Sequence, residues 1–331
     1  MTTRILDRRA VTLGLAGALC MPSILRAQTG YPERPINLIV PFAAGGPTDA
    51  IARIYAEFIS RDLGQTLVIE NVAGAGGTIG STRVAKSAPD GYTLVSGHVG
   101  THAASVALYP ALRYDPQVDF APIGLVAETP IVVVARRDLA DGLASFTTTA
   151  KARGPDLTLA HAGVGSIGHI SCLLFTSVVG FKPVEVPYRG SGLAMTDLIA
   201  GRSDFSCALL VDVLPFLGGG NLRYLTVSAP MRVPQLPDTP TATEAGLPNF
   251  VASSWFAFYL PKDVPDAIRD RLTDALRAAL EDDSVRKRLE LAGLILPRTD
   301  QQGPEPLKRR MAEEIVRWKD IVKTAKILLD Q

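Results

Sequence analysis

Residues 36–63 read INLIVPFAAGGPTDAIARIYAEFISRDL, and this stretch sets the fold class. Ile36–Val40 is an almost unbroken apolar run of strand length, as in a strand buried on both faces. Pro41 ends it, having no N–H for a ladder. From Ala50 the apolar residues recur at helical spacing: Ile51, Ile54 with Tyr55, Phe58 with Ile59, then Leu63 before Gly64. Thr48 or Asp49 is placed to cap that helix and Gly64 to stop it. The loop Phe42-Ala43-Ala44-Gly45-Gly46-Pro47 therefore joins the carboxyl end of a strand to the amino end of a helix. Free N–H groups and the positive dipole end suit a small anion there. A tight turn with nothing bound fits the same residues.

The rhythm continues outward. Thr66–Glu70 is a short strand, and the glycine-rich run NVAGAGGTIG at 71–80 leads into a helix. Tyr92–Ser96 is the next strand, and the loop from Gly97 to His102 opens another short helix. This β-α-β-α-β order implies an α/β fold with a parallel sheet between helices. A second unit follows: strand Leu157–His161, glycine loop Gly163–His169, helix Ile170–Val179, then further strands at 183–188, 204–210 and 222–227. Between the units, Ile123–Ala127 and Ile131–Ala135 form two apolar runs. Residues 230–248 are proline-rich and read as a surface connection, before the strand-like VASSWFAFYL at 251–260 and two amphipathic helical stripes.

The chain has 331 residues, 47% hydrophobic and 20% charged, which suits two domains and a sizeable core. Residues 1–27 stand apart as an export signal. Arg4, Arg8 and Arg9 precede an apolar run, Val11–Met21, that is too short to span a bilayer, and Ala27 is a cleavage residue. Arg8-Arg9 points to the twin-arginine route, but Asp7 before it and Ala10-Val11-Thr12 after it match that motif imperfectly, so the general secretory route stays open. The expected mature protein is thus outside the cytoplasm, in the periplasm, with no later run of membrane-spanning length. Its charges nearly balance, which excludes a basic nucleic-acid face. Cys172 and Cys207 remain; both sit in apolar segments, where buried free thiols are expected, although an oxidising compartment permits a bridge.

Several motifs carry chemistry on paper. Gly163, Gly165 and Gly168 match G-x-G-x-x-G between a strand and a helix, with Glu185 near the position of a ribose-binding acid. Glu185 lies inside a strand, however, and an exported chain is a poor home for nicotinamide, so no cofactor is expected. His98 and His102 are four apart but lack companion ligands, so no metal is expected. Ser166 with His169 is the one local Ser/His pair, with no acid evident to orient the histidine. What the two glycine loops share is anion-binding geometry. Backbone N–H groups with the hydroxyls of Thr48, Thr101 and Ser166 can hold carboxylate oxygens without an arginine.

Longer motifs then come into register: YPERPINLIVPFAAGGPTDAIAR from Tyr31, VIENVAGAGGTIGSTRVAKSAPDGYTL from Val68, GTHAASVALYPALRYDPQVDFAPI from Gly100, VPYRGSGLAMTDLIAGRSD from Val186, LPDTPTATEAGLP from Leu236 and SSWFAFYLP from Ser253. In this order, from about Tyr31 to Ala325, they resemble the tripartite tricarboxylate transporter receptors, also called Bug receptors. The resemblance implies a two-domain periplasmic binding protein of type II, a Venus flytrap whose domains are mostly parallel sheets flanked by helices. Domain 1 would be residues 31–127 plus 251–331 and domain 2 residues 128–250. It implies a monomeric receptor, not an enzyme, that takes a small organic acid and serves membrane permease subunits. A sensor for a signalling partner is the alternative, and an exported hydrolase a remoter one. The implied ligand contacts are Phe42, Ala44, Gly45, Gly46, Thr48 and Asp49 from the first loop, and Gly165, Ser166, Ile167, Gly168 and His169 from the second. Thr101, His102 and Ala208 complete the set. The chain departs from the family at Ala43-Ala44, where many members carry Pro-Pro, and at Ile167-Gly168. It also has Cys207-Ala208 where Phe-Asp is frequent. The pocket floor is therefore expected to lack a carboxylate and to suit an apolar body or a second acid group better than an ammonium.

Overall fold

The computed structural model describes residues 30–324. The export signal read at residues 1–27 lies outside them. In chain order the elements are β1 (Ile36–Val40), α1 (Pro47–Leu63), β2 (Leu67–Asn71), α2 (Thr78–Ala85), β3 (Thr93–His98), α3 (Ser105–Leu108) and β4 (Phe120–Arg136). Then come α4 (Leu143–Arg153), β5 (Thr158–His161), α5 (Ile167–Val179), β6 (Val184–Pro187), α6 (Ser191–Ile199), β7 (Phe205–Leu209), α7 (Leu210–Val213) and β8 (Leu222–Ser228). The chain returns through β9 (Ser253–Pro261), α8 (Asp266–Glu281), α9 (Asp283–Leu291) and α10 (Pro304–Thr324).

The opening stretch folds as its pattern dictates. β1 is buried along nearly its whole length. α1 turns Ile51, Tyr55, Ile59 and Leu63 inward, and Gly64 ends it in the left-handed conformation at φ 67°. The helix starts at Pro47, with Gly46 as its extended N-cap, so neither Thr48 nor Asp49 caps it. Proline suits that first position because its missing N–H would have had no helical partner.

The strands form the order β2-β1-β3-β9-β4-β7-β5-β6, with β8 added on β4. β1 lies parallel between β2 and β3, and β5 lies parallel between β6 and β7. Each α/β unit thus has the parallel trio that its β-α-β rhythm implies, and β9, β4 and β8 extend the trios antiparallel. The two apolar runs at 123–127 and 131–135 prove to be one 17-residue strand, β4. Its register shifts at 122–124 and 125–127 accommodate the twist of so long a strand. β4 pairs with β9 as far as Pro130, and with β7 and β8 from Ile131. A proline at that exchange costs no ladder bond that a continuous partner would need.

The cysteines also depart from the free thiols expected of them. α5 packs on β7, and a disulfide joins Cys172 to Cys207 with Cα atoms 5.3 Å apart. The two lie 35 residues apart, a spacing that says nothing of which helix lies over which strand.

Candidate functional site

The first glycine loop is held from behind. Asp49, buried at the start of α1, accepts from the Gly45 N–H at 3.0 Å, from Arg53 at 2.9 and 3.0 Å, and from the Asn71 amide at 3.0 Å. Burial opposes ionisation, but the bonds from Arg53, Gly45 and Asn71 outweigh it and hold the carboxyl below its ordinary range. With Gly46 offering no side-chain cap, the first-turn N–H groups of α1 stay open.

The second loop follows a similar plan with different atoms. Ser166 caps α5 by accepting from the His169 backbone N–H at 3.3 Å. The Ile167 and Gly168 N–H groups before it have no helical acceptor. His169 Nδ1 accepts from the Gly165 N–H at 3.0 Å, which places the ring proton on Nε2, 2.8 Å from Glu185. Glu185, whose spacing suggested a ribose, therefore braces a histidine, and its own pKa is lowered chiefly by that hydrogen bond. It is also the orienting acid not evident in the sequence. Even so, Ser166 gains no base: His169 Nδ1 is taken by Gly165 and Nε2 by Glu185, so no ring nitrogen is left to accept the serine proton.

Both loops face one cavity with about 620 Å³ of empty space, part of it open to solvent. Phe42, Gly46 and Thr48 border it from the first loop, Ser166, Ile167 and Gly168 from the second, and Ala208 from β7. The other expected residues do not. Ala44 and Gly45 lie off its wall, Asp49 faces Arg53, and His169 faces Glu185. At Gly165 the Tyr109 ring occupies the space a Cβ would take. Thr101 and His102 are fully buried in a π-helical turn, where His102 stacks on Tyr259 with ring centroids 4.1 Å apart.

The cavity is also bordered by residues that the sequence reading did not place there. His98, tilted on Phe42 at 4.9 Å, accepts from the Gly100 N–H through Nδ1 at 2.8 Å. His161 accepts from the Gly163 N–H at 3.3 Å, and its buried Nε2 has no partner. Both rings then carry their proton on Nε2. Burial lowers the pKa of His98 to about 3; burial, with His169 adjacent, lowers that of His161 to about 4. Both are neutral donors near pH 7. Gly190 and Ser191 bring a third helix N-terminus, that of α6, again without a side-chain cap. Its glycine-serine grammar resembles that of the other two loops and was the signal available. Asp212 completes the wall: Oδ1 accepts from Ser191 Oγ at 2.8 Å and Oδ2 from the Leu209 N–H at 3.3 Å. A carboxylate is thus present in the pocket, four residues beyond Ala208, contrary to expectation. Among the described residues no lysine or arginine borders the cavity.

His161, His169 and Glu185 have donor atoms within 4.8 Å of one another, the one such trio of metal-ligand type among the described residues. Backbone bonds to both Nδ1 atoms leave the Nε2 atoms as donors; that of His169 reaches Glu185, and that of His161 has no partner.

The family model described as Tripartite tricarboxylate transporter family receptor matches residues 51–327. Among solved structures, MatC from Rhodopseudomonas palustris with bound malate is 41% identical, at TM-score 0.86, over 88% of this chain and 100% of that one. The periplasmic binding protein BugD is 35% identical, at TM-score 0.87, over 90% and 99%. An R. palustris protein with adipate is 34% identical, at TM-score 0.85, over 90% and 99%.

Proposed function

The chain belongs to the tripartite tricarboxylate transporter receptor family, and from that premise we propose that it captures a small organic carboxylate between its glycine loops and delivers it to a permease of that transporter type. The observation that carries this reading is the convergence of the N-termini of α1, α5 and α6 on one cavity with no cationic side chain. Such a site holds an anion through N–H groups and hydroxyls. The malate and adipate of the two R. palustris structures support a carboxylate. We assign one carboxylate end to Thr48, Ser166 and the Ile167 and Gly168 N–H groups, with the His98 and His161 Nε2 protons nearby.

Two domains, 31–127 with 251–331 and 128–250, close on the ligand; the change of partner along β4 at Pro130 supports that division. The receptor acts in the periplasm after loss of residues 1–27. The Cys172–Cys207 bridge supports an oxidising compartment, and no described helix is long and apolar enough to cross a membrane.

A thermal-shift screen tests the reading. The protein is first stripped of carried-over ligand by unfolding and refolding without reductant. Malate, adipate, benzoate and aspartate are then added singly. A ligand at a hundred times its dissociation constant stabilises the native state by about 2.7 kcal/mol, a rise of several degrees. If no acid raised the melting temperature, the carboxylate reading would fall.

A further inference from the structure

A carboxylate wall in a pocket for carboxylates is the least expected feature of this site. Asp212 borders the main cavity and also a second chamber beyond it, toward Leu214, Phe216 and Leu291. It has two fixed donors, Ser191 Oγ and the Leu209 N–H, and neither is charged. Across the main cavity the titratable groups facing it are His98 on β3 and His161 at the end of β5, both neutral. Among the described residues that line the two chambers, those from the first loop, the α5 start, α6 and β7 carry no charged side chain, and around the second chamber Asp212 is alone in being ionisable.

We propose that Asp212 couples capture to proton uptake: it enters the complex as a neutral acid and donates its hydrogen to the end of the ligand remote from the glycine loops. The inference rests on the carboxylate reading of the cavity. Two anions in one poorly solvated space without a cation repel each other, and protonating one turns repulsion into a charge-assisted hydrogen bond. In the empty protein burial already raises Asp212 to about 7, against which Ser191 and the Leu209 N–H act only partly. An arriving dianion raises it further. Above pH 7 each ligand therefore brings one proton from solvent. This favours a ligand whose remote end is an anionic acceptor, because that end can take the Asp212 hydrogen in a charge-assisted bond.

The test is calorimetry with the dicarboxylates malate and adipate at pH 6.5, 7.5 and 8.5. At pH 7.5 and 8.5, Tris and HEPES buffers are compared for their different ionisation heats. The ligands stay dianionic across this range, so their own titration is silent. Affinity should fall about tenfold from pH 6.5 to 8.5, with close to one proton taken up per ligand at the upper end. In Asp212→Asn the affinity should be flat with pH and the heat independent of buffer. Proton uptake by the wild type needs no variant, so misfolding of Asp212→Asn would leave the test standing. Binding by the wild type that is flat or rises with pH, or that takes up no proton, overturns the proposal while leaving the receptor reading intact. Absence of binding by every acid at every pH removes both.

Discussion

Asp49 shows how a residue can govern a site it does not border. Its carboxylate fixes the loop by accepting from Gly45 and Asn71, one before α1 and one at the end of β2. Arg53 adds an ion pair, but that guanidinium is half exposed and contributes little by itself. Asp49→Ala strands the two other donors. It should cost about 2 kcal/mol of stability. It should also weaken binding of whichever acid the thermal-shift screen selects, because the α1 N–H groups lose their aim. Urea unfolding and calorimetry on one preparation measure the two effects. The pH dependence has a definite sign. The folded pKa is depressed, so this stabilisation is complete above the unfolded carboxyl value and is lost as pH falls through the folded one. Loosening of the first loop belongs to acid, opposite in direction to the Asp212 effect.

At the scale of elements, the bridge between α5 and β7 ties the helix carrying the second glycine loop to the strand carrying Ala208. Replacing both cysteines by serine opens a closure of 35 residues and should cost about 3 kcal/mol. Urea midpoints of the variant and of the wild type, each with and without dithiothreitol, check this: only the wild type should respond to reductant. The pairing was illegible in the sequence because it depends on which strand α5 crosses. Other elements were legible for equally physical reasons. β1 and α1 announce themselves through unlike periodicities separated by Pro41 and two glycines. β4 was half legible: its two apolar runs were plain, but Glu128, Thr129 and Pro130 between them resemble a break. Pairing with Trp255, Ser254 and Ser253 keeps the strand continuous there. In the site, the glycine loops could be read because helix N-termini have a local grammar. Asp212 could not, because its place depends on how α7 folds back toward α6.

At the scale of the molecule, the two units meet through the loops that build the cavity. The Tyr109 hydroxyl of the first unit donates to the Val164 carbonyl of the second at 2.7 Å. Gly76, at φ 60°, passes so close that a Cβ there would lie 2.6 Å from the same carbonyl. The two crossings proposed between the domains are anchored on opposite sides. Glu128 exchanges backbone bonds with Ile295 at 2.8 Å in each direction, tying β4 to the first unit just before Pro130. Ser228 Oγ donates to the Phe250 carbonyl at 3.2 Å and accepts from the Ala252 N–H at 2.7 Å, tying the return segment to the second. The short lengths between these anchors and the partner exchange are where a rotation can be absorbed. If the units open and close there, Tyr109–Val164 exists only in the closed form, and its free energy appears in ligand affinity. Tyr109→Phe removes the hydroxyl without touching the cavity lining. It should weaken binding of the acid that gives the largest thermal shift about fivefold, the equivalent of about 1 kcal/mol. On that premise the urea stability of the ligand-free protein should hardly change. Small-angle scattering of wild type should show a smaller radius of gyration on adding that acid, and Tyr109→Phe should need more of it for the same contraction. Equal losses of affinity and of ligand-free stability would instead mean that the contact persists in both forms and that closure does not pass through it.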